Sequence, residues 1–306
     1  MGRAKRWMIA FGWCFLQGCS LQQLAVAQAA AILKEGQRAF DRETDLELAR
    51  AVAPASLAAA EGLLQTDPQQ RDLHAVLARG YTGFAFGFLE DEAEAVDDAD
   101  PERAAHLRHR AQALYLRARA HGLHLLQAAW PTLARDLRAG RMPRPEQLAA
   151  LQSRDAAAVF WVANPWAAAI NVGKADPGLL AQREIVRRLF ACVVRLDGST
   201  FYAGAHMGLG MLEAAVPRAL GGDPDVAAEH FARAIARTEG KHLLTRVLFA
   251  RFVGIQRADR AFFVAGMQQV LRANPDVAPD LALANRLAQR RARRYLALVD
   301  DIFLPE

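Results

Sequence analysis

Among the 306 residues, 64 are Ala and 39 are Leu, while Val, Ile and Thr together number only 32. Strands draw on β-branched side chains and helices on Ala and Leu, so this ratio excludes a sheet-rich protein and predicts an all-α fold. Ser occurs at four positions only (Ser20, Ser56, Ser153 and Ser199), which excludes Ser-rich disordered linkers. Three cysteines in a chain of this length do not make a disulfide framework. The length suits one large helical domain with ample core, or two small ones.

The N-terminus reads differently from the rest. Arg3, Lys5 and Arg6 precede the apolar stretch 7–16, which is too short to span a bilayer. Leu16-Gln17-Gly18-Cys19 then resembles the lipobox of bacterial lipoproteins, with a small residue before a thiol that can carry diacylglycerol. Residues 1–18 are therefore expected to be a lipoprotein signal peptide and Cys19 the lipidation site. A buried N-terminal helix and a secretory signal cleaved elsewhere are the alternatives. Ser20, in place of an inner-membrane-retaining Asp, favours outer-membrane sorting, with the mature domain in the periplasm. Removing the leader takes away Arg3, Lys5 and Arg6, so the formal charge of +5 falls to +2. Most of the basic excess that hints at nucleic acid is thus a targeting signal, and no nucleic-acid partner is expected.

From residue 21 to 303 apolar residues recur at helical spacing, broken by Asp-Pro, Asn-Pro and Gly-containing turns. Breaks are expected at Asp67-Pro68, Asp100-Pro101, Trp130-Pro131, Asn164-Pro165, Asp176-Pro177, Asp197-Gly198, Gly221-Gly222-Asp223-Pro224, Asn274-Pro275 and Ala278-Pro279. Within the helices, His74-x2-Leu77-Ala78-x2-Tyr81 has the spacing of a first tetratricopeptide helix. Ala111-x3-Tyr115-x2-Ala118 and Ala227-x3-Phe231-x2-Ala234 have that of a second one, with Phe190 and Met267 marking degenerate copies. Small residues let paired helices approach, and the aromatic fills the hole between pairs. Antiparallel helix pairs in a tetratricopeptide-like array are expected over residues 19–306, as one domain with a possible internal connection near 135–155. The acidic stretch 90–98 reads as a solvated helix end.

Chemistry is sparse. His106/His109 and His121/His124 have i, i+3 spacing, but arginines surround them and oppose a cation, so they read as polar helix faces and no metal is expected. Gly208-Leu209-Gly210 follows no strand and reads as close helix packing, not a dinucleotide loop. Cys192 lies on an apolar face as a buried thiol. No nucleophile, base and oxyanion stabiliser assemble, so neither an enzyme nor a cofactor is expected. The unusual feature is aromatic. Tyr81–Phe88 packs four aromatics and two glycines, and Phe160–Trp166 packs three around a proline. Each reads singly as ordinary core. On a straight helix, however, residues two apart are rotated by about 200°, so 84, 86 and 88 cannot all face one core. Phe84, Phe88, Trp161, Asn164, Trp166 and Asn171 are the candidates to line an apolar cleft or pore.

In order and spacing, several stretches resemble the TatT component of tripartite ATP-independent periplasmic (TRAP) transporters. They are the lipobox 16–19, Gly80–Phe88 ahead of the acidic run, Arg110–Arg119 with Tyr115, and Phe160-Trp161 with Trp166–Ile170. His206–Glu213, Gly221–Pro224, Ala228–Phe231, Gly240-Lys241 and the Asn285–Ala292 terminus continue the match. The resemblance implies a tetratricopeptide-like periplasmic lipoprotein, a homotrimer with a central pore. It also implies partnership with the periplasmic solute-binding protein of a TRAP transporter, and a hydrophobic small molecule as ligand. The alternative is a scaffold lipoprotein for envelope assembly with no small-molecule ligand.

Overall fold

A computed structural model describes residues 3–216, 218 and 221–303, with side chains from residue 22 onward. The leader expected over 1–18 and the thiol of Cys19 lie outside the described side chains. Among the described residues the chain is 80% helical and has no strands, as its composition predicts. The helices run α1 (Arg3–Asp41), α2 (Leu46–Leu64), α3 (Arg71–Phe84), a π-turn (Ala85–Glu90), α4 (Asp91–Val96) and α5 (Pro101–Gln127). They continue as α6 (Pro131–Arg138), α7 (Pro145–Ala149), α8 (Ala156–Val172), α9 (Pro177–Leu180), α10 (Arg183–Asp197) and α11 (Thr200–Ala214). The last are α12 (Pro224–Arg237), α13 (Leu243–Gln256), α14 (Arg260–Arg272), α15 (Ala282–Ala297) and α16 (Val299–Ile302). Asp100, Asp176 and Asp223 cap the starts of α5, α9 and α12, each ahead of a Pro at the first helical position.

The large residues of the second-helix repeat positions lie in the core. Tyr115, Phe190, Phe231 and Met267 are fully buried. The glycines of α11 explain how the pairs close up. A side-chain carbon on Gly204 would meet the Phe160 ring at 2.7 Å, one on Gly208 the Phe190 ring at 2.5 Å, and one on Gly210 the Phe231 ring at 2.8 Å. One helix thus receives an aromatic from each of α8, α10 and α12. Gly208 and Gly210 serve close packing, as their sequence context suggested.

Two expectations are overturned. Asn164-Pro165 does not break the chain, because α8 runs straight through it. Pro165 has no N–H for the carbonyl of Trp161 four residues back. That carbonyl instead lies where a side chain on Gly122 of α5 would sit, so the interrupted turn is buried against a glycine of the longest partner helix. The first half of the acidic stretch is not solvated either, whereas Asp98 at its far end is exposed. Glu90 and Asp91 are buried, and α15, with Arg251 of α13, supplies the counter-charges. Arg294 reaches Asp91 at 2.8 Å and Glu94 at 2.6 Å, Arg251 reaches Glu94 at 2.7 Å, and Arg290 reaches Asp91 at 2.8 Å. The buried Arg291 guanidinium donates to the carbonyl of Phe86 at 2.6 Å. Burial opposes the charge on Glu94, but Arg291, Arg251, Tyr295 and Arg294 outweigh it and hold its carboxyl at about 2. Glu90, hydrogen-bonded to Tyr115, is pushed by burial up to about 7. Residues near 135–155 fold as α6, α7 and a 3-10 turn, with Leu137 and Leu151 in the same apolar cluster as Trp166.

Candidate functional site

The first turn of α11 departs from helical backbone. Phe201, Tyr202 and Ala203 have φ of 47°, 57° and 58°, three consecutive left-handed residues without a glycine. Each such residue costs roughly 1–2 kcal/mol, so the surroundings must hold the turn in place. Asp197 fixes its entry by accepting from the Ser199 amide at 2.9 Å, the Ser199 hydroxyl at 2.6 Å and the Thr200 hydroxyl at 3.0 Å. These bonds hold the Asp197 carboxyl below the usual range. Its exit is fixed by the buried Ala203 and by Gly204 under the Phe160 ring.

The turn carries Phe201 outward. Its ring packs edge-on against Trp161 (centroids 4.7 Å apart), against Phe160 (5.5 Å) and under the Arg79 guanidinium (5.0 Å), yet the residue stays 37% exposed. Beside it opens a cleft of about 490 Å³, lined by Phe201, Tyr202, Arg79, Arg237, Lys241 and Glu239 among others. That volume suits a small molecule, and the walls combine apolar surface with a few charged groups. Lys241 is paired with Glu239 at 2.5 Å and Arg79 with Asp41, while the Arg237 guanidinium has no ion pair or hydrogen bond among the described residues. Strain, exposed aromatics and an unpaired cation coincide here.

Residues 42–303 match the TRAP transporter T-component family. The chain belongs to that family. A protein of Treponema pallidum (strain Nichols), described as uncharacterized, is 28% identical over 323 aligned positions covering 96% of each chain. Membership makes this an accessory component of a TRAP transporter, with an envelope location and a role suggested to be non-enzymatic. Among the described residues, no helix of this T-component is long and apolar enough to cross a membrane.

Of the six residues singled out as cleft or pore lining, Phe84 and Phe88 meet (ring centroids 5.7 Å apart), but the six do not gather around one opening in this T-component. Phe88 is 2% exposed and packs with Ala49, Leu283 and Leu287, while the half-buried Phe84 touches three clusters at once. The π-turn is why 84, 86 and 88 all find packing: the widened turn sends Phe86 toward α13–α15 and Phe88 toward α2. Trp166 is 0% exposed, donates to Gln182 at 2.8 Å and lies under the Arg119 guanidinium at 3.6 Å. Asn164 and Asn171 are half-buried on α8. Trp161, 8% exposed, is joined to the cleft through Phe201.

His106 and His109 are exposed, but His121 is not on a polar face. Its Nδ1 lies 2.9 Å from Nδ1 of His74 and its Nε2 3.1 Å from Glu61, and burial lowers its pKa to about 4. No three His, Cys, Asp or Glu side chains converge to hold a metal among the described residues. From sequence, Gly198 is expected only as part of a helix break and His206 only as part of the family match, and nothing singles out Arg237. The aromatic pair after Asp197-Gly198-Ser199 was the available signal, since it places two rings directly on a turn.

Proposed function

We propose that this T-component is a periplasmic lipoprotein, held through Cys19 at the outer membrane, that binds the solute-binding protein of its TRAP transporter. It works as a homotrimer and takes a hydrophobic small molecule. The observation that carries the ligand reading is the strained turn that presents Phe201 over Trp161 in an open cleft, in a chain whose family supplies the transport role. Holding an aromatic outward at a backbone cost, when inward rotation would bury it, is what a binding wall requires. Of the six residues proposed from sequence, Trp161 supports this wall from beneath. Phe84, Phe88 and Trp166 serve the stability of the core around α3 and α8 and make no contact with the ligand. The neutral half-buried amides of Asn164 and Asn171 are the remaining polar candidates for a second contact. The chain's own work is binding, with transport driven elsewhere.

Affinity capture from the native envelope tests the partner. Recovery of a periplasmic solute-binding protein is expected. Recovery of envelope-assembly machinery in its place would sink the transport reading in favour of a scaffold. Native mass spectrometry after gentle purification reads the rest: a trimer carrying a bound lipid-like mass supports the proposal, and an empty monomer contradicts it.

A further inference from the structure

At one end of the cleft, Gly198 leaves a space that two nitrogen-bearing side chains share. A carbon added to Gly198 would lie 3.3 Å from the Arg237 guanidinium and 3.3 Å from Nε2 of His206. His206 is 2% exposed, and its Nε2 is buried with no hydrogen-bond partner. Its other nitrogen is engaged, with Nδ1 3.1 Å from Nδ1 of His230. Only one proton fits between those two nitrogens. When His230 donates it, His206 carries its own proton on Nε2, aimed at the Gly198 space. An orphaned buried N–H and the unpaired guanidinium of the exposed Arg237 then converge on one point, and leaving the imidazole N–H buried without an acceptor costs stability. The neighbours on either side, Ser199 and Arg237, line the cleft. The adjacent carboxylate, Asp197, spends its hydrogen bonds on Ser199 and Thr200 and feels the Arg237 charge only through space. Arg79 and Lys241 at the rim are each taken up in an ion pair, with Asp41 and Glu239, which leaves Arg237 as the cation without a partner among the described residues.

We infer that the space at Gly198 is an oxyanion niche, in which Arg237 and Nε2–H of His206 hold the head group of a ligand whose apolar body lies along Phe201. This rests on the reading of the cleft as a ligand site and adds the chemical class of the ligand. The niche takes one oxygen of a carboxylate, phosphate or sulfonate. A donor pair of one guanidinium and one imidazole N–H is selective for anions, because neither group can accept a hydrogen bond in this arrangement. His206 stays neutral as it donates, since burial, with His230 and the arginines nearby, lowers its pKa to about 4.

The test uses the full-length chain with three probes: anionic 8-anilinonaphthalene-1-sulfonate, neutral N-phenyl-1-naphthylamine, and inorganic phosphate. Two variants address the niche. Arg237→Gln removes the charge, and Gly198→Ala fills the space. Gly198 has φ −68°, which Ala adopts freely, so the second variant folds. Each variant is expected to weaken the sulfonate probe about tenfold or more (about 1.4 kcal/mol) and to leave the neutral probe within about twofold. Phosphate is expected to displace the sulfonate and not the neutral probe. Should neither aromatic probe bind while phosphate binds in an Arg237-dependent way, the niche holds a free inorganic anion and the apolar-ligand reading of the cleft is what fails. Sulfonate and phosphate binding that is indifferent to both substitutions overturns the niche itself, as does equal weakening of the charged and neutral probes.

Discussion

Two aromatic regions of this protein look alike in sequence and differ in kind. Tyr81–Phe88 and Phe160–Trp166 are the densest runs, and they are core: Phe88 and Trp166 are sealed, and Phe84 and Phe86 join clusters that would otherwise be separate. Phe201-Tyr202 is a mere pair, yet it sits on three left-handed residues at the lip of a cleft. Aromatic density marks where several helix pairs must share one interior. Backbone strain combined with exposure marks where the fold gives up stability to hold a side chain outward.

The sharpest way to break this contrast is to truncate one ring from each region. Trp166→Ala removes a fully buried indole, its bond to Gln182 and the seat of Arg119, and is expected to cost about 3–5 kcal/mol in chemical denaturation. A loss below about 1 kcal/mol would mean that the region is not core. Arg291→Met is expected to cost about 3 kcal/mol, because it leaves Asp91 and the Phe86 carbonyl with one partner fewer inside the protein.

Acid supplies the next effect. His121, His206 and His242 are held neutral, each with a pKa lowered to about 4 chiefly by burial. Between pH 4 and about 6.5 the unfolded chain binds protons there that the folded chain does not, so stability falls as pH falls through that window. Glu90, raised by burial to about 7, runs against them, since its folded carboxyl keeps a proton between about pH 4.5 and 7 that the unfolded chain releases. Denaturation midpoints at pH 7 and pH 5 are expected to show a net loss on acidification, shallower in His242→Gln. An unchanged slope in that variant would show that His242 already charges in the folded state. The smallest effect lies in the turn. Ala203→Gly relieves a buried φ of 58° and is expected to raise stability by up to about 1 kcal/mol, whereas the same substitution at Ala163 in the middle of α8 lowers it by about as much. A destabilised Ala203→Gly would show that the left-handed conformation is not strained.

Much of the fold was legible because it follows from local rules. Ala and Leu set the class, Asp-Pro pairs set three helix starts, and Tyr115, Phe190, Phe231 and Met267 sit where the repeat spacing placed them. What was not legible depends on partners far along the chain. Pro165 reads as a break until Gly122, 43 positions earlier, makes room for the orphaned carbonyl of Trp161. Glu90–Glu94 reads as solvated until α15, some 200 residues later, brings its arginines. The candidate site was least legible of all. Neither Phe nor Tyr favours positive φ, and His206 and Arg237 approach Gly198 only through the pairing of α11 with α12.

The most direct test titrates N-phenyl-1-naphthylamine fluorescence on the wild-type chain, Phe201→Ala and Trp166→Ala, alongside each melting temperature. The account predicts that Phe201→Ala loses about tenfold in affinity while costing only about 1 kcal/mol of stability. Trp166→Ala, measured where it is folded, melts much earlier and binds as the wild type does. The reverse pattern, with binding lost at Trp166 and kept at Phe201, would contradict the assignment of the cleft.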